Sequence, residues 1–102
     1  MNYLGRISGK GVLKRNGEKI ARASYDFDGY FRKPIGVTSS GEIRLSSEAL
    51  KGLFGRTDIQ LLTDDGRLLN LKFSEKELAS TSGVAHVDVT GDLPSTPLDW
   101  RG

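Results

Sequence analysis

Cysteine is absent from this 102-residue chain. That excludes a disulfide framework, a thiolate nucleophile and a zinc–thiolate centre, and it fits a reducing, cytoplasmic compartment. Histidine occurs once, at His86. A nucleophile–base pair would have to be built around it. Asp88 falls on the same strand face, but Thr90 and the serines show no nucleophile-elbow pattern, so His86 reads as an exposed strand residue and no catalytic residue is expected. Long apolar runs are missing too. Nothing approaches the ~18 residues of a membrane helix, and Met1 to Lys10 is polar and glycine-rich, without the apolar core of a secretory signal. No membrane partner is expected. Gly9-Lys10-Gly11 lacks the Gly-Lys-Ser/Thr ending of a phosphate loop. The adjacent Asp64 and Asp65 fall short of the 6–8 oxygens that calcium takes, and turn chemistry explains them. No metal or other cofactor is implied.

What is present is alternation punctuated by 13 glycines. Twenty-seven residues are Leu, Ile, Val or Phe, enough for one modest core in a chain of this length. The expectation is a single domain over 1–91, followed by an extended or disordered tail over 92–102 that holds Pro94, Pro97 and the single tryptophan, Trp100.

The first hairpin, Leu4 to Asp28, organises the rest. Asn-Gly between alternating runs is a hairpin signal. A two-residue loop, Asn16-Gly17, pairs Leu13 with Ile20 and sets Ile7 against Asp26, which mixes both faces. A three-residue loop, Arg15-Asn16-Gly17, sorts them: Ile7 meets Tyr25, Gly9 meets Ala23, Gly11 meets Ala21 and Gly5 meets Phe27. Since a one-residue slip swaps every face, the cleaner sorting favours the longer loop. The inner face is then rich in Gly and Ala. Glycines there indicate a strand coiled enough to close a small barrel, with rings packed over them, or else room for a small apolar ligand.

Asp28 to Pro34 reads as a loop, punctuated by Gly29 and Pro34. Ile35 to Leu45 reads as a second hairpin turned at Ser39-Ser40-Gly41. A short helix follows, capped by Ser46 or Ser47, with Leu50, Leu53 and Phe54 as its apolar stripe and Gly55 at its C-terminal end. Thr57 to Phe73 is a third hairpin. A loop of Asp64-Asp65-Gly66 pairs Leu61 with Leu69 and Ile59 with Leu71. Ser74 to Glu77 has capping-box spacing, which predicts a helical turn over Glu75 to Ser80. Val84 to Gly91 is a last strand with Ala85, Val87 and Val89 inward. The fold class is all-β: a closed or half-open barrel of about seven antiparallel strands with one short helix.

Charge is uneven. Residues 1–33 carry a net +5 and residues 34–102 a net −3. The outward face of the first hairpin offers Arg6, Lys10, Lys14 and Arg22, and Tyr30, Phe31, Arg32 and Lys33 lie at one end. Of these, Arg6, Lys10, Arg22, Tyr30, Phe31, Arg32 and Lys33, with Trp100 as a free anchor in the tail, are the candidate binding set. Small barrels bind single-stranded nucleic acid with such basic and aromatic groups, but Glu18 and Asp26 interrupt the stripe. The reading that fits is a non-catalytic binding or assembly module with a protein partner. Single-stranded nucleic acid is the alternative, and a small apolar ligand the third.

Overall fold

The computed structural model describes residues 2–78, 82–94 and Trp100. Six strands and one helix follow in order: β1 (Asn2–Arg15), β2 (Glu18–Arg32), β3 (Gly36–Arg44), α1 (Ser47–Leu53), β4 (Ile59–Thr63), β5 (Leu68–Phe73) and β6 (Val84–Gly91). The sheet closes into an antiparallel barrel in the order β1-β2-β3-β6-β5-β4. The all-β barrel with one short helix is as expected, with six strands in place of about seven.

The β1–β2 turn corrects the expected register. Arg15 pairs with Glu18, and Asn16 and Gly17 take φ of 53° and 81°. This is a two-residue turn with both central residues left-handed, as a primed hairpin turn requires. The mixing of faces that this loop would cause is removed by a bulge at Ile20: Lys14 pairs with Lys19, but Leu13 pairs with Ala21. The inner face is therefore the one expected, with each partner displaced by two, so that Ile7 meets Phe27, Gly9 meets Tyr25 and Gly11 meets Ala23.

The second hairpin does not form. Ser39, Ser40 and Gly41 lie inside β3, which pairs with β2 on one side and β6 on the other. Gly41 is small because the backbone of Asp26 and Phe27 presses on the place of its Cβ. Ser39 is buried, and its hydroxyl donates to the Asp28 carbonyl at 2.9 Å. Nor is Asp28 to Pro34 a loop: β2 runs on to Arg32, and the turn into β3 is Lys33-Pro34-Ile35.

The third hairpin has the expected register, with Ile59 opposite Leu71, Leu61 opposite Leu69, and Gly66 at φ 94°. Helix α1 is capped as expected, the Ser46 hydroxyl accepting from the Ala49 N–H at 3.2 Å. Residues 74–78 are not helical. The Glu75 carboxylate instead accepts the His86 N–H at 2.8 Å, and residues 79–81 lie outside the described residues. In β6, Ala85, Val87 and Val89 are buried and His86, Asp88 and Thr90 are exposed, as the alternation requires.

The core joins Leu13, Phe27, Ile43, Leu61, Leu71 and Val87 of the barrel to Leu50 and Leu53 of the helix. Trp100 is not free. It is 1% exposed, its indole N–H donates to the Pro94 carbonyl at 2.7 Å, and it lies over Gly5 and Gly29. Residues 95–99, 101 and 102 lie outside the described residues.

Candidate functional site

The barrel wall is uneven in height. β1 pairs with β4 only over Gly11–Arg15, and β3 meets β6 only from Ser39 onward. The first part of β1, the last part of β2 and the start of β3 therefore stand beyond the rim as a three-stranded flap. Its concave side is the glycine-rich face. The space over those glycines is filled: Trp100 covers Gly5 and Gly29, the Tyr25 ring lies over Gly9, and Leu61 and the Leu62 carbonyl abut Gly11. The small residues admit these groups.

The tip of the flap holds three of the five large exposed apolar side chains among the described residues, Ile20 and Leu68 lying elsewhere. Ile35, in the β2–β3 turn, is 64% exposed, Tyr3 58% and Phe31 36%. Ile35 sits between Pro34 and Gly36, whose φ is 97°. The Tyr3 and Tyr30 rings meet at 5.4 Å with 59° between their planes. The Tyr3 hydroxyl donates to Asp28 Oδ1 at 2.8 Å, and this bond holds the phenol above its ordinary pKa. Arg32 and Lys33 flank the turn, and among the described residues neither takes part in an ion pair.

The expected binding set is thus divided. Tyr30, Phe31, Arg32 and Lys33 lie at the tip, with Tyr3 and Ile35, the register turning Tyr3 and Tyr30 to one face and Phe31 to the other. Arg6 is held by Asp26 at 3.2 Å and Asp28 at 3.7 Å, and Arg22 pairs with Asp64 at 3.0 Å. Lys10 lies farther along β1, eight residues from Asn2, or roughly 25 Å at strand rise. Trp100 is inside. The reading from sequence missed Tyr3 and Ile35. The signal for Ile35 was its place between Pro and Gly, where a β-branched residue has no strand face to turn inward.

The outer face of β1, β2, β3 and β6 is not a basic groove. It holds a shallow concavity of about 370 Å³ where Arg6 and His86 stand among Asp26, Asp28, Glu42 and Asp88. His86 Nε2 lies 3.4 Å from Glu42 Oε2, and Arg44 holds the other Glu42 oxygen at 3.1 Å. No cluster of metal-ligating side chains occurs among the described residues. A second groove, of about 580 Å³, lies between the β1–β2 turn and α1, with Ile20, Ala49 and Leu53 in its lining. Among the described residues no helix is long and apolar enough to cross a membrane.

No protein-family model matches the chain, and no curated protein or solved structure matches it either.

Proposed function

We propose that this chain is a non-catalytic binding module that engages a partner protein through the tip of the flap. The observation that carries this is Ile35, a β-branched apolar residue 64% exposed in the β2–β3 turn, with Arg32 and Lys33 before it in the chain, the exposed Phe31 on one face of the adjoining strands and Tyr3 with Tyr30 on the other. Aromatic residues and arginine are the types that anchor protein interfaces. The tip holds three aromatic residues and Arg32.

Single-stranded nucleic acid is the rival reading, favoured by the Tyr3–Tyr30 pair beside Arg32 and Lys33. Against it stand Asp26, Asp28, Glu42 and Asp88 on the adjoining outer face, which repel the phosphates a strand would carry across it. Fluorescence anisotropy of a labelled single-stranded oligonucleotide separates the two. The protein reading predicts no salt-sensitive change at micromolar chain and low salt. A salt-sensitive rise that disappears on Arg32→Glu with Lys33→Glu would transfer the tip to nucleic acid.

A further inference from the structure

Three places in the chain set an Asn or Asp before glycine: Asn16-Gly17, Asp28-Gly29 and Asp65-Gly66. At such a pair the backbone nitrogen of the glycine is unshielded and can attack the side chain before it. The fold closes two of the three. Asp28 accepts from the Tyr3 hydroxyl and lies 3.7 Å from Arg6, and Gly29 is held between β1 and β3 beneath Trp100. Asp65 is bonded to the Thr63 hydroxyl, and the Gly66 N–H donates to the Thr63 carbonyl at 2.9 Å. Asn16-Gly17 is different. Both residues are exposed, and nothing stands within 4 Å of the place of a Gly17 Cβ. Among the described residues neither the Asn16 side chain nor the Gly17 N–H has a hydrogen-bond partner. The other asparagines lack this freedom. Asn70 Oδ1 accepts from Gln60 at 2.9 Å and is followed by the buried Leu71, and Asn2 is followed by the bulky Tyr3.

We propose that Asn16 is a site of spontaneous covalent modification, converting to aspartate and isoaspartate in the folded chain. The Gly17 nitrogen gives its proton to solvent base and attacks the Asn16 side-chain carbonyl carbon. A C–N bond forms, the Cγ–Nδ2 bond breaks, and the amide nitrogen leaves as ammonia with a proton from water. Water then opens the cyclic imide at either carbonyl. One opening leaves aspartate, and the other leads the main chain through Cβ and Cγ. Asparagine is among the thermolabile residues, and Arg15 and Lys19 beside the turn favour the anion formed on the way. Pairing of Arg15 with Glu18 holds the turn only at its ends. The rotation that cyclisation needs at Asn16 is therefore a local opening, far smaller than unfolding. Both products act where they form. Aspartate puts a negative charge into the groove that Arg15 and Lys19 line. Isoaspartate lengthens the main chain inside a two-residue turn whose central residues must both be left-handed, so Arg15 and Glu18 lose their register.

The full chain is held in mildly alkaline buffer, once native and once in denaturant, and sampled by peptide mapping with fragmentation that tells isoaspartate from aspartate. In the native chain Asn16 is expected to convert on the order of tenfold faster than Asn2 or Asn70, with Asp65 unchanged. In denaturant Asp65 should begin to yield isoaspartate as well. Amide exchange of the native isoaspartate fraction should show the protection of the Glu18 N–H reduced by about tenfold. Gly17→Ala shields the attacking nitrogen. It should slow loss of the Asn16 amide on the order of tenfold in denaturant, where the stability of the variant does not enter. A native chain that keeps the Asn16 amide while the denatured chain loses it overturns the proposal. So does native conversion at Asn2, Asn70 or Asp65 as fast as at Asn16, or a loss of the Asn16 amide that Gly17→Ala leaves unchanged. Full protection at Glu18 in the isoaspartate fraction would overturn the effect on register.

Discussion

Gly5 and Gly29 stand opposite one another across β1 and β2, and Trp100 lies on the pair. A Cβ on Gly29 would come within 2.5 Å of the indole ring, and one on Gly5 would run into the Trp100 carbonyl. The two glycines are thus a platform, and the tryptophan, held through its N–H by the Pro94 carbonyl, closes the concave side of the flap above the barrel.

From this contact, Trp100→Ala is expected to destabilise the fold by about 3–5 kcal/mol, as for other fully buried aromatic side chains. Gly29→Ala should cost about 1–3 kcal/mol through overpacking. Tryptophan fluorescence of the unaltered chain reads the contact directly. A blue, quencher-protected emission that shifts with the unfolding transition is predicted. A red, freely quenched emission would mean that the tail is undocked.

The glycines fall into classes that mutation distinguishes. Gly17 and Gly66 have φ of 81° and 94° and open space around the missing Cβ, so replacement by alanine should cost about 1–2 kcal/mol of backbone strain. Gly41 has no left-handed φ but is pressed by the Asp26 backbone, and Gly41→Ala should cost more, because two paired strands must separate. Gly52, inside α1, meets nothing within 4 Å. Gly52→Ala should stabilise by about 0.5–1 kcal/mol. Chemical denaturation of the four variants tests the ranking.

These contrasts show which parts of the fold were legible in the chain. The Asp64-Asp65-Gly66 turn could be read because acids, a glycine and flanking leucines all point to one register. The inner face of the first hairpin was equally legible, but the bulge at Ile20 was not, since a bulge leaves no mark when the displaced residue is simply turned outward. Ser39-Ser40-Gly41 carries the chemistry of a turn for reasons that belong to tertiary contact. Gly41 makes room for β2, and the Ser39 hydroxyl satisfies a carbonyl of that same strand. Gly29 looked like punctuation because its neighbour, Trp100, is 71 residues away in the chain. At the tip, Tyr30, Phe31, Arg32 and Lys33 could be singled out together. Ile35 reads as the start of a second hairpin, and its exposure follows only once the β2–β3 turn is known.

Tyr3 gives a pH prediction. Its phenol, bonded to the Asp28 carboxylate, is held above its ordinary value of 10.0 in the fold. A group whose folded pKa is raised adds stability that is complete below its unfolded pKa and is lost as the pH rises through the folded one. Stability should therefore decline above about pH 10, and the decline should be smaller in Tyr3→Phe. Tyr25 is also raised, chiefly by burial, so in an absorbance titration Tyr3→Phe should remove one late-ionising phenol and leave that of Tyr25.

The claim that the tip engages a protein is tested most directly by a photoreactive phenylalanine analogue in place of Ile35, with the same group in place of Asn70 on the exposed face of β5 as control. Irradiation in an extract of the source cells should give a discrete adduct from position 35 that survives nuclease, is removed by protease, and is lost when Arg32→Glu and Lys33→Glu are added. Position 70 should give none. An adduct from position 35 that nuclease removes, or one formed equally from position 70, would contradict the assignment of the tip as a protein-binding surface.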